Sequence, residues 1–347
     1  MKMLNLGRTD IAVSDWCLGT MTYGNQTPQS DAHTQIDMAL DAGINFLDTA
    51  EMYPVNPISA ETVGLSEQVI GNWITKSGRR DEVIIATKVS GNNPGWVRDG
   101  KGFDGGNIRE TVEASLRRLQ TDVIDLYQLH WPERGSYMFR QNWTYDPSGQ
   151  NRAQTLDHMM GVLTTFGELV AEGKIRAVGA SNESAWGMTK WVDLAEAAGL
   201  PRMVSVQNEY SLMCRMYDTD MAEMAVNEDV TLLSFSPLAC GLLTGKYQNG
   251  AIPEGSRRSI GPELGGRMTP RTLPVAQAYL DLAAQHGVDP VHMAMAWQST
   301  RPFPVSAIFG ATTSEQLAHI IAGKEVVLSD ALIAEIDSAH RANPMPY

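Results

Sequence analysis

The stretch Leu18-Gly19-Thr20-Met21-Thr22-Tyr23-Gly24 decides between two architectures. It follows the first short apolar segment, Trp16–Gly19, of a chain in which strand-like and helix-like segments alternate. An open doubly wound sheet usually carries a Gly-x-Gly-x-x-Gly turn at this point, where its first helix approaches the sheet closely. Here Gly19 and Gly24 stand alone and do not supply that turn. A closed parallel barrel makes no such demand.

The same rhythm continues outward from this stretch. Asn45–Thr49, Val83–Lys88, Val123–His130, Ile175–Gly179, Met203–Gln207, Thr231–Phe235 and Ala307–Gly310 are short and rich in β-branched or apolar residues, which predicts strands. Helical periodicity runs over Ala32–Ala42, Leu65–Lys76, Asn107–Leu119, Leu156–Ala171, Trp186–Ala198, Asp218–Asn227, Pro274–His286 and Asp330–His340. In Leu65–Lys76 the apolar stripe is Val69, Ile70, Trp73 and Ile74. Asn107 followed by Glu110 reads as a capping-box-like start. Near the N-terminus, Leu4 and Leu6 alternate before Gly7-Arg8-Thr9-Asp10, and Ile11 and Val13 alternate after it, which predicts a hairpin.

Eight strands alternating with helices imply an α/β fold, a (β/α)8 TIM barrel with an N-terminal β-hairpin. One barrel domain is expected over residues 1–347. Four long segments, Glu51–Val63, Ser90–Gly106, Trp131–Ala153 and Ala239–Leu273, each follow a strand. A barrel would gather them at its C-terminal face, where barrel active sites sit.

The formal net charge of −13 argues against general binding to nucleic acid or acidic membrane, since both need clustered positive charge. Cys17, Cys214 and Cys240 are odd in number and lack metal-type spacing, which reads as reduced thiols in a cytoplasmic protein. The opening residues lack a long apolar core, so no signal peptide is expected, and no apolar run suits a membrane span. His33, His158, His286, His292, His319 and His340 are scattered along the chain, so no metal site is expected. No Gly-x-Ser-x-Gly turn supports a serine nucleophile.

Ionisable residues interrupt three apolar strand ends. Asp48 ends the second barrel strand, with Tyr53 five residues later; Lys88 ends the third and His130 the fourth. Neighbouring strand ends would let these side chains converge. Singly, each also fits a plainer role: a turn carboxylate, a loop aromatic, a surface lysine, a core histidine. Together they suit carbonyl reduction. Hydride reaching a carbonyl carbon leaves charge on its oxygen, and a proton donor must meet it. A tyrosine is a weak acid at neutral pH; a nearby ammonium favours its phenolate. Asp48 would hold Lys88 charged, and His130 would orient the substrate oxygen. A Schiff-base role for Lys88 is the rival chemistry, and the Asp48 partner disfavours it. Small and hydroxyl residues after the last two strands, with Lys246 and Arg257, suit a phosphate.

These residues carry a resemblance. Leu4-Asn5-Leu6-Gly7-Arg8-Thr9, Asp48-Thr49-Ala50-Glu51-Met52-Tyr53, Gly64-Leu65-Ser66-Glu67, Asp125-Leu126-Tyr127-Gln128-Leu129-His130-Trp131, Gly173-Lys174-Ile175-Arg176 and Gly310-Ala311-Thr312-Thr313 occur in one order over the whole chain. The chain resembles the aldo-keto reductase superfamily, and most closely its Tas-like proteins. The resemblance implies NADPH-dependent reduction of aldehydes or ketones. It implies Tyr53 as general acid, Lys88 as the modulator of its pKa, Asp48 as the partner of Lys88 and His130 as the ligand of the substrate oxygen.

The resemblance also implies a cofactor site. Gly19, Thr20 and Met21 would line its inner side, Ser181, Asn182 and Gln207 would hold the carboxamide, and Tyr210 would stack on the nicotinamide. Phe235, Ser236, Pro237, Leu238, Ala239 and Cys240 would follow the pyrophosphate. Lys246, Arg257 and Thr312 would face the 2′-phosphate, with Phe309, Gly310 and Ala311 leading to it and Gln316 on the adenine side. His319 and Ile320 stand where related families often carry Glu-Asn against adenine, so cofactor preference is left open. The partner expected is a small carbonyl compound. The β-subunits of voltage-gated potassium channels resemble the same family, so a cofactor-binding regulatory or interaction protein is the second reading. Trp131, Met52, Tyr23 and Trp96 are candidates for the pocket wall.

Overall fold

The computed structural model describes residues 1–347. Eight parallel strands close into a barrel: β3 (Trp16–Gly19), β4 (Phe46–Asp48), β5 (Ile84–Val89), β6 (Ile124–Leu129), β7 (Ile175–Ser181), β8 (Met203–Glu209), β9 (Thr231–Phe235) and β10 (Val305–Phe309), with β10 pairing back onto β3. The predicted strands all form, Trp16–Gly19 and Thr231–Phe235 with the expected bounds and the others with ends shifted by at most two residues. The N-terminal hairpin is β1 (Met3–Asn5) against β2 (Ala12–Ser14), antiparallel, with Leu4 opposite Val13.

Alternation along the strands, broken only where β8 shifts register against β7, sorts their residues into two cores. Cys17, Phe46, Ala86, Leu126, Ala177, Val204, Leu233 and Ile308 form one cluster inside the barrel, and Leu6, Ile11 and Val13 of the hairpin region pack into it. The hairpin thus plugs one end. The other core lies between the strands and the helices, and holds Leu18, Leu47, Ile85, Tyr127, Val178 and Val206 from the opposite strand faces. Residues two positions beyond the inner cluster point into the barrel one layer nearer its C-terminal mouth. They include Gly19, Asp48, Lys88, Gln128, Phe235 and Gly310.

The helices are α1 (Gln29–Asp41), α2 (Leu65–Ser77), α3 (Ile108–Leu119), α4 (Arg152–Ala171), α5 (Ala185–Ala198), α6 (Asp220–Asn227), the one-turn α7 (Arg257–Ile260), α8 (Thr272–Gln285), α9 (Pro290–Gln298), α10 (Ser314–Ala322) and α11 (Asp330–Ala342). None is long and apolar enough to cross a membrane. Helix α9 was not expected. Val291 and Met293 through Gln298 are all buried, so the segment has no polar face to reveal a period. Its start was nevertheless written in the sequence: Asp289 caps the amides of Val291 and His292, and Pro290 occupies the first turn. The capping box expected at Asn107 does not form. Asn107 is already helical, and its Oδ1 accepts from the amide of Asp104 instead. The histidines do not all stay apart either, because α9 and α10 bring His292 and His319 beside Asp289.

Candidate functional site

Asp48, Lys88 and Tyr53 meet at the C-terminal mouth of the barrel. Strands β4 and β5 are in register from Phe46 opposite Ile84 to Asp48 opposite Ala86, which sets the two inward charges side by side. Lys88 Nζ donates to Asp48 Oδ2 at 2.6 Å and to the Thr49 carbonyl at 2.7 Å. Its third neighbour is the Tyr53 hydroxyl at 3.5 Å. Lys88 is fully buried and Asp48 nearly so. Burial works against the ammonium, but Asp48 and then Tyr53 more than offset it, so the Lys88 pKa is raised and the side chain stays charged.

The other carboxylate oxygen is also held. Asp48 Oδ1 accepts from Gln207 Nε2 at 2.8 Å and from Gln128 Nε2 at 3.2 Å. A buried carboxylate needs such donors as well as its ion partner. Gln128 was not singled out from the sequence. It stands two residues before His130 in Asp125-Leu126-Tyr127-Gln128-Leu129-His130, and the two-residue strand period could have found it.

His130 is buried just beyond β6, with its ring edge-on to that of Tyr53 at a centroid separation of 5.7 Å. Burial, and then the charge on Lys88, hold its pKa well below the usual histidine range, so the imidazole is neutral. Its Nδ1 is buried without a partner. The Tyr53 hydroxyl departs from expectation in one respect. Lys88 does favour its phenolate, but burial disfavours it more, and the net pKa lies above the ordinary phenol value. The tyrosine therefore holds its proton firmly at neutral pH.

Trp131 packs on His130 at 4.8 Å and meets Phe139 edge-on at 6.2 Å, which forms one wall of the mouth. Met52 is buried in a small cluster with Ala50 and Val97, and Trp96 is exposed. Tyr23 does not belong to the wall: it is fully buried in the outer core, with its hydroxyl toward Gln35 Oε1 at 3.3 Å.

The expected cofactor positions form an arc around this cluster. Asn182 takes a left-handed backbone with φ of 54°. Its Nδ2 donates to the His130 carbonyl at 2.9 Å and to Ser181 Oγ at 3.1 Å, while its Oδ1 is buried with no partner. Such an orphaned acceptor fits the N–H of a carboxamide. Gln207 is differently placed from the expectation: its amide nitrogen is committed to Asp48 and Gln128, so it offers only its oxygen. Tyr210 is a correction. Its ring is fully buried, stacked on Trp297 at 5.1 Å, and its hydroxyl bonds Asp218, so it presents no face to a nicotinamide. Phe235, partly exposed at the inward end of β9, is the aromatic ring that this layer does present.

After β9 the chain turns tightly through Ser236, Ala239, Cys240 and Gly241, all with positive φ. A Cβ on Gly241 would fall 2.7 Å from Lys246 Cε, and one on Gly310 would fall 3.0 Å from the Gly19 carbonyl. The Lys246 side chain on one side and the Gly19 backbone on the other thus lie close along the arc. Arg257 reaches over it, with its guanidinium 3.4 Å from Cys240 Sγ and 3.5 Å from Met21 Sδ. Neither Arg257 nor Lys246 joins a carboxylate. Crowding by surrounding atoms, and then the charge of Arg257, hold the Lys246 pKa below its ordinary value. Two unneutralised cations beside positive-φ backbone fit a phosphate-bearing group. Thr312 is linked to Gln316, whose Oε1 accepts from the Thr312 amide at 3.1 Å. His319 is exposed and Ile320 buried, so neither reproduces a Glu-Asn grip on adenine.

Buried carboxylates tie the long loops to the barrel. Glu51 accepts from the Ser90 amide at 2.6 Å and from Arg98 at 2.9 Å. Glu209, at the end of β8, accepts from Arg140 at 2.9 Å and from Arg267 at 2.8 Å, one from each of two loops. Burial alone would raise the Glu209 pKa; Arg267 and Arg140 outweigh it and hold the carboxyl below its usual range. Neither glutamate was anticipated, since a carboxylate near a strand end looks the same in sequence whether it faces solvent or a guanidinium.

A separate surface cavity of about 430 Å³ opens behind β6 and β7, among Phe103, Pro132, Arg134, His158 and Trp191. It lies on the helix side of the barrel wall, whereas Asp48, Tyr53, Lys88 and His130 face the mouth.

The chain matches the model of the aldo/keto reductase family over residues 16–341. It is 42% identical to protein tas of Escherichia coli strain K12, covering 100% of this chain and 99% of that protein. It is 27% identical to a probable voltage-gated potassium channel subunit beta of Arabidopsis thaliana, over 99% of this chain and 98% of the relative. It is 28% identical to an NADH-specific methylglyoxal reductase of E. coli, over 95% and 96%. The barrel, the residues at its mouth and these matches agree, and the chain belongs to the aldo/keto reductase family of oxidoreductases.

Proposed function

We propose that this chain reduces the carbonyl group of aldehydes or ketones with NADPH, and that Tyr53 is the general acid. The observation that carries the reading is the row Asp48 Oδ2, Lys88 Nζ and Tyr53 hydroxyl, spaced at 2.6 and 3.5 Å beneath the open mouth. When bound, the nicotinamide supplies hydride to the carbonyl carbon. The carbonyl oxygen then gains charge, and Tyr53 gives it a proton. Lys88 stabilises the phenolate left behind, since an ammonium at this distance in a low-dielectric site favours the ionised form. Asp48 keeps Lys88 protonated, which also makes Lys88 a poor Schiff-base nucleophile. Neutral His130 orients the oxygen and, being uncharged, places no second cation beside Lys88.

The residues present fit the cofactor at both ends. Asn182 Oδ1 is free for the carboxamide, and Phe235 offers the stacking face. Arg257 and Lys246 would hold phosphate charge, which favours NADPH over NADH. The NADH-specific relative makes this preference the point to measure. Oxidation of NADPH and of NADH, followed against a panel of aldehydes, ketones, quinones and sugars, tests activity and preference together. Turnover with NADPH well above NADH supports the reading. Tight NADPH binding without turnover on any carbonyl would favour a regulatory role like that named for the channel-subunit relative.

A further inference from the structure

Away from the barrel mouth, two helices bring together side chains distant in sequence. Asp289 caps α9 and His292 stands in its first turn, three residues on, so the two share one face. His319 projects from α10, which packs beside α9. Each of the three offers one nitrogen or carboxylate oxygen, and these atoms lie within 4.8 Å of one another. We propose that Asp289, His292 and His319 form a binding site for a divalent transition metal of the zinc class.

The donor atoms are divided in a way that suits this. Asp289 Oδ1 is committed to the cap, accepting from the Val291 amide at 2.8 Å and the His292 amide at 3.2 Å. Oδ2 is left to face His319 Nε2 at 3.3 Å. His292 Nε2 lies 2.7 Å from the His319 carbonyl oxygen. A carbonyl can only accept, so Nε2 carries the hydrogen and Nδ1 keeps the lone pair. A ligating histidine commonly gives its second N–H to a backbone carbonyl in this manner, which fixes ring and tautomer. The two imidazoles stack at a centroid separation of 5.0 Å with their planes inclined by 29°. Gly323 leaves room for this arrangement: a Cβ there would fall 2.4 Å from His292 Cδ2.

Two imidazoles and one carboxylate suit zinc, nickel or copper rather than magnesium or calcium, which prefer oxygen donors. Water would complete a four-coordinate shell. The ion would link α9 to α10 across the outside of β10. Binding needs no cofactor and does not depend on the reaction proposed above.

The test titrates the full chain, free of nucleotide, with zinc and in parallel with magnesium by calorimetry. Cobalt serves as a second probe through its visible absorption. Zinc is expected to bind as a single ion and to raise the unfolding temperature. His319→Ala and Asp289→Asn should each weaken zinc about tenfold or more. The first changes an exposed residue and the second keeps a capping oxygen, so both should fold even if His292→Ala does not. Cys240→Ser should leave the affinity unchanged, which separates this site from thiol binding. Zinc affinity equal to that for magnesium would overturn the proposal, as would full affinity in His319→Ala and Asp289→Asn; Asp289 and His319 would then be a polar contact between helices alone.

Discussion

Lys88 Nζ and Asp48 Oδ2 stand 2.6 Å apart with both side chains shut off from solvent, and the Tyr53 hydroxyl is the next polar atom on the open side. In the reaction proposed above, the pair is the base on which Tyr53 stands. Its energy is that of mutual necessity: either charge alone would be buried without its ion partner, with only neutral groups to hold it.

Replacing one member should cost more than replacing both. Lys88→Met leaves the Asp48 carboxylate unpaired and should destabilise the fold by about 3–5 kcal/mol. The double variant Lys88→Met/Asp48→Asn should recover much of that loss while remaining inactive. Denaturant unfolding of the singles and the double closes the cycle. Additive losses would show that the two charges do not depend on each other.

Tyr53→Phe removes the proposed proton donor and little else. Carbonyl reduction should fall by about 10²–10⁴-fold, the usual contribution of a positioned acid. The Kd for NADPH should stay within about twofold, since the hydroxyl makes its bond to Lys88 and none is required for nucleotide. Turnover at the parent rate would remove Tyr53 from the reaction.

The pH profile follows from the directions of the two shifts. Tyr53 is raised above its ordinary value, so it remains a protonated acid beyond about pH 10. His130 is depressed, so it stays neutral to below about pH 6.5 as acid is added. The kcat should hold level between these limits and fall above the upper one as the phenol ionises. A midpoint near neutrality would mean that another group supplies the proton.

Arg257→Ala should discriminate between the nucleotides. Loss of a charge-assisted contact to phosphate costs about 1.5–3 kcal/mol. NADPH should therefore bind about ten- to a hundredfold more weakly, and NADH should change much less. Equal losses for both would place the guanidinium on the shared pyrophosphate.

Glu209→Gln tests the tie between loops. It leaves Arg140 and Arg267 facing a neutral amide in a buried setting, and the melting temperature should drop. KM for the carbonyl should rise more than kcat falls, because loops 131–153 and 239–273 would lose a shared anchor. An unchanged KM would confine Glu209 to stability.

The barrel was legible because each strand carries its own apolar run, and the inward charges were legible because they break those runs. Asp48, Lys88 and His130 stood out for that reason. Gln128 did not, since a neutral amide in a strand breaks nothing visibly. Tyr210 shows the opposite failure. An aromatic residue just after β8 has the same appearance whether it faces the mouth or the helices, and only packing against Trp297 decides. Helix α9 was hidden because nearly all of it, Val291 and Met293 through Gln298, is buried. The pairing of His292 with His319 is a contact between helices 27 residues apart, and local spacing carries no trace of it.

The hairpin that packs under Phe46, Ala86 and Leu126 gives the barrel a floor, and a vessel with a floor has one door. With Tyr53 as the acid proposed above, each turnover must return a proton to it, and the apolar side chains beneath Lys88, Phe46, Ala86, Leu126 and Leu233 among them, are no path for one. Refilling must then use the same opening through which the alcohol departs. Emptying the pocket and recharging the acid become successive uses of a single passage, so a bulky product would delay both.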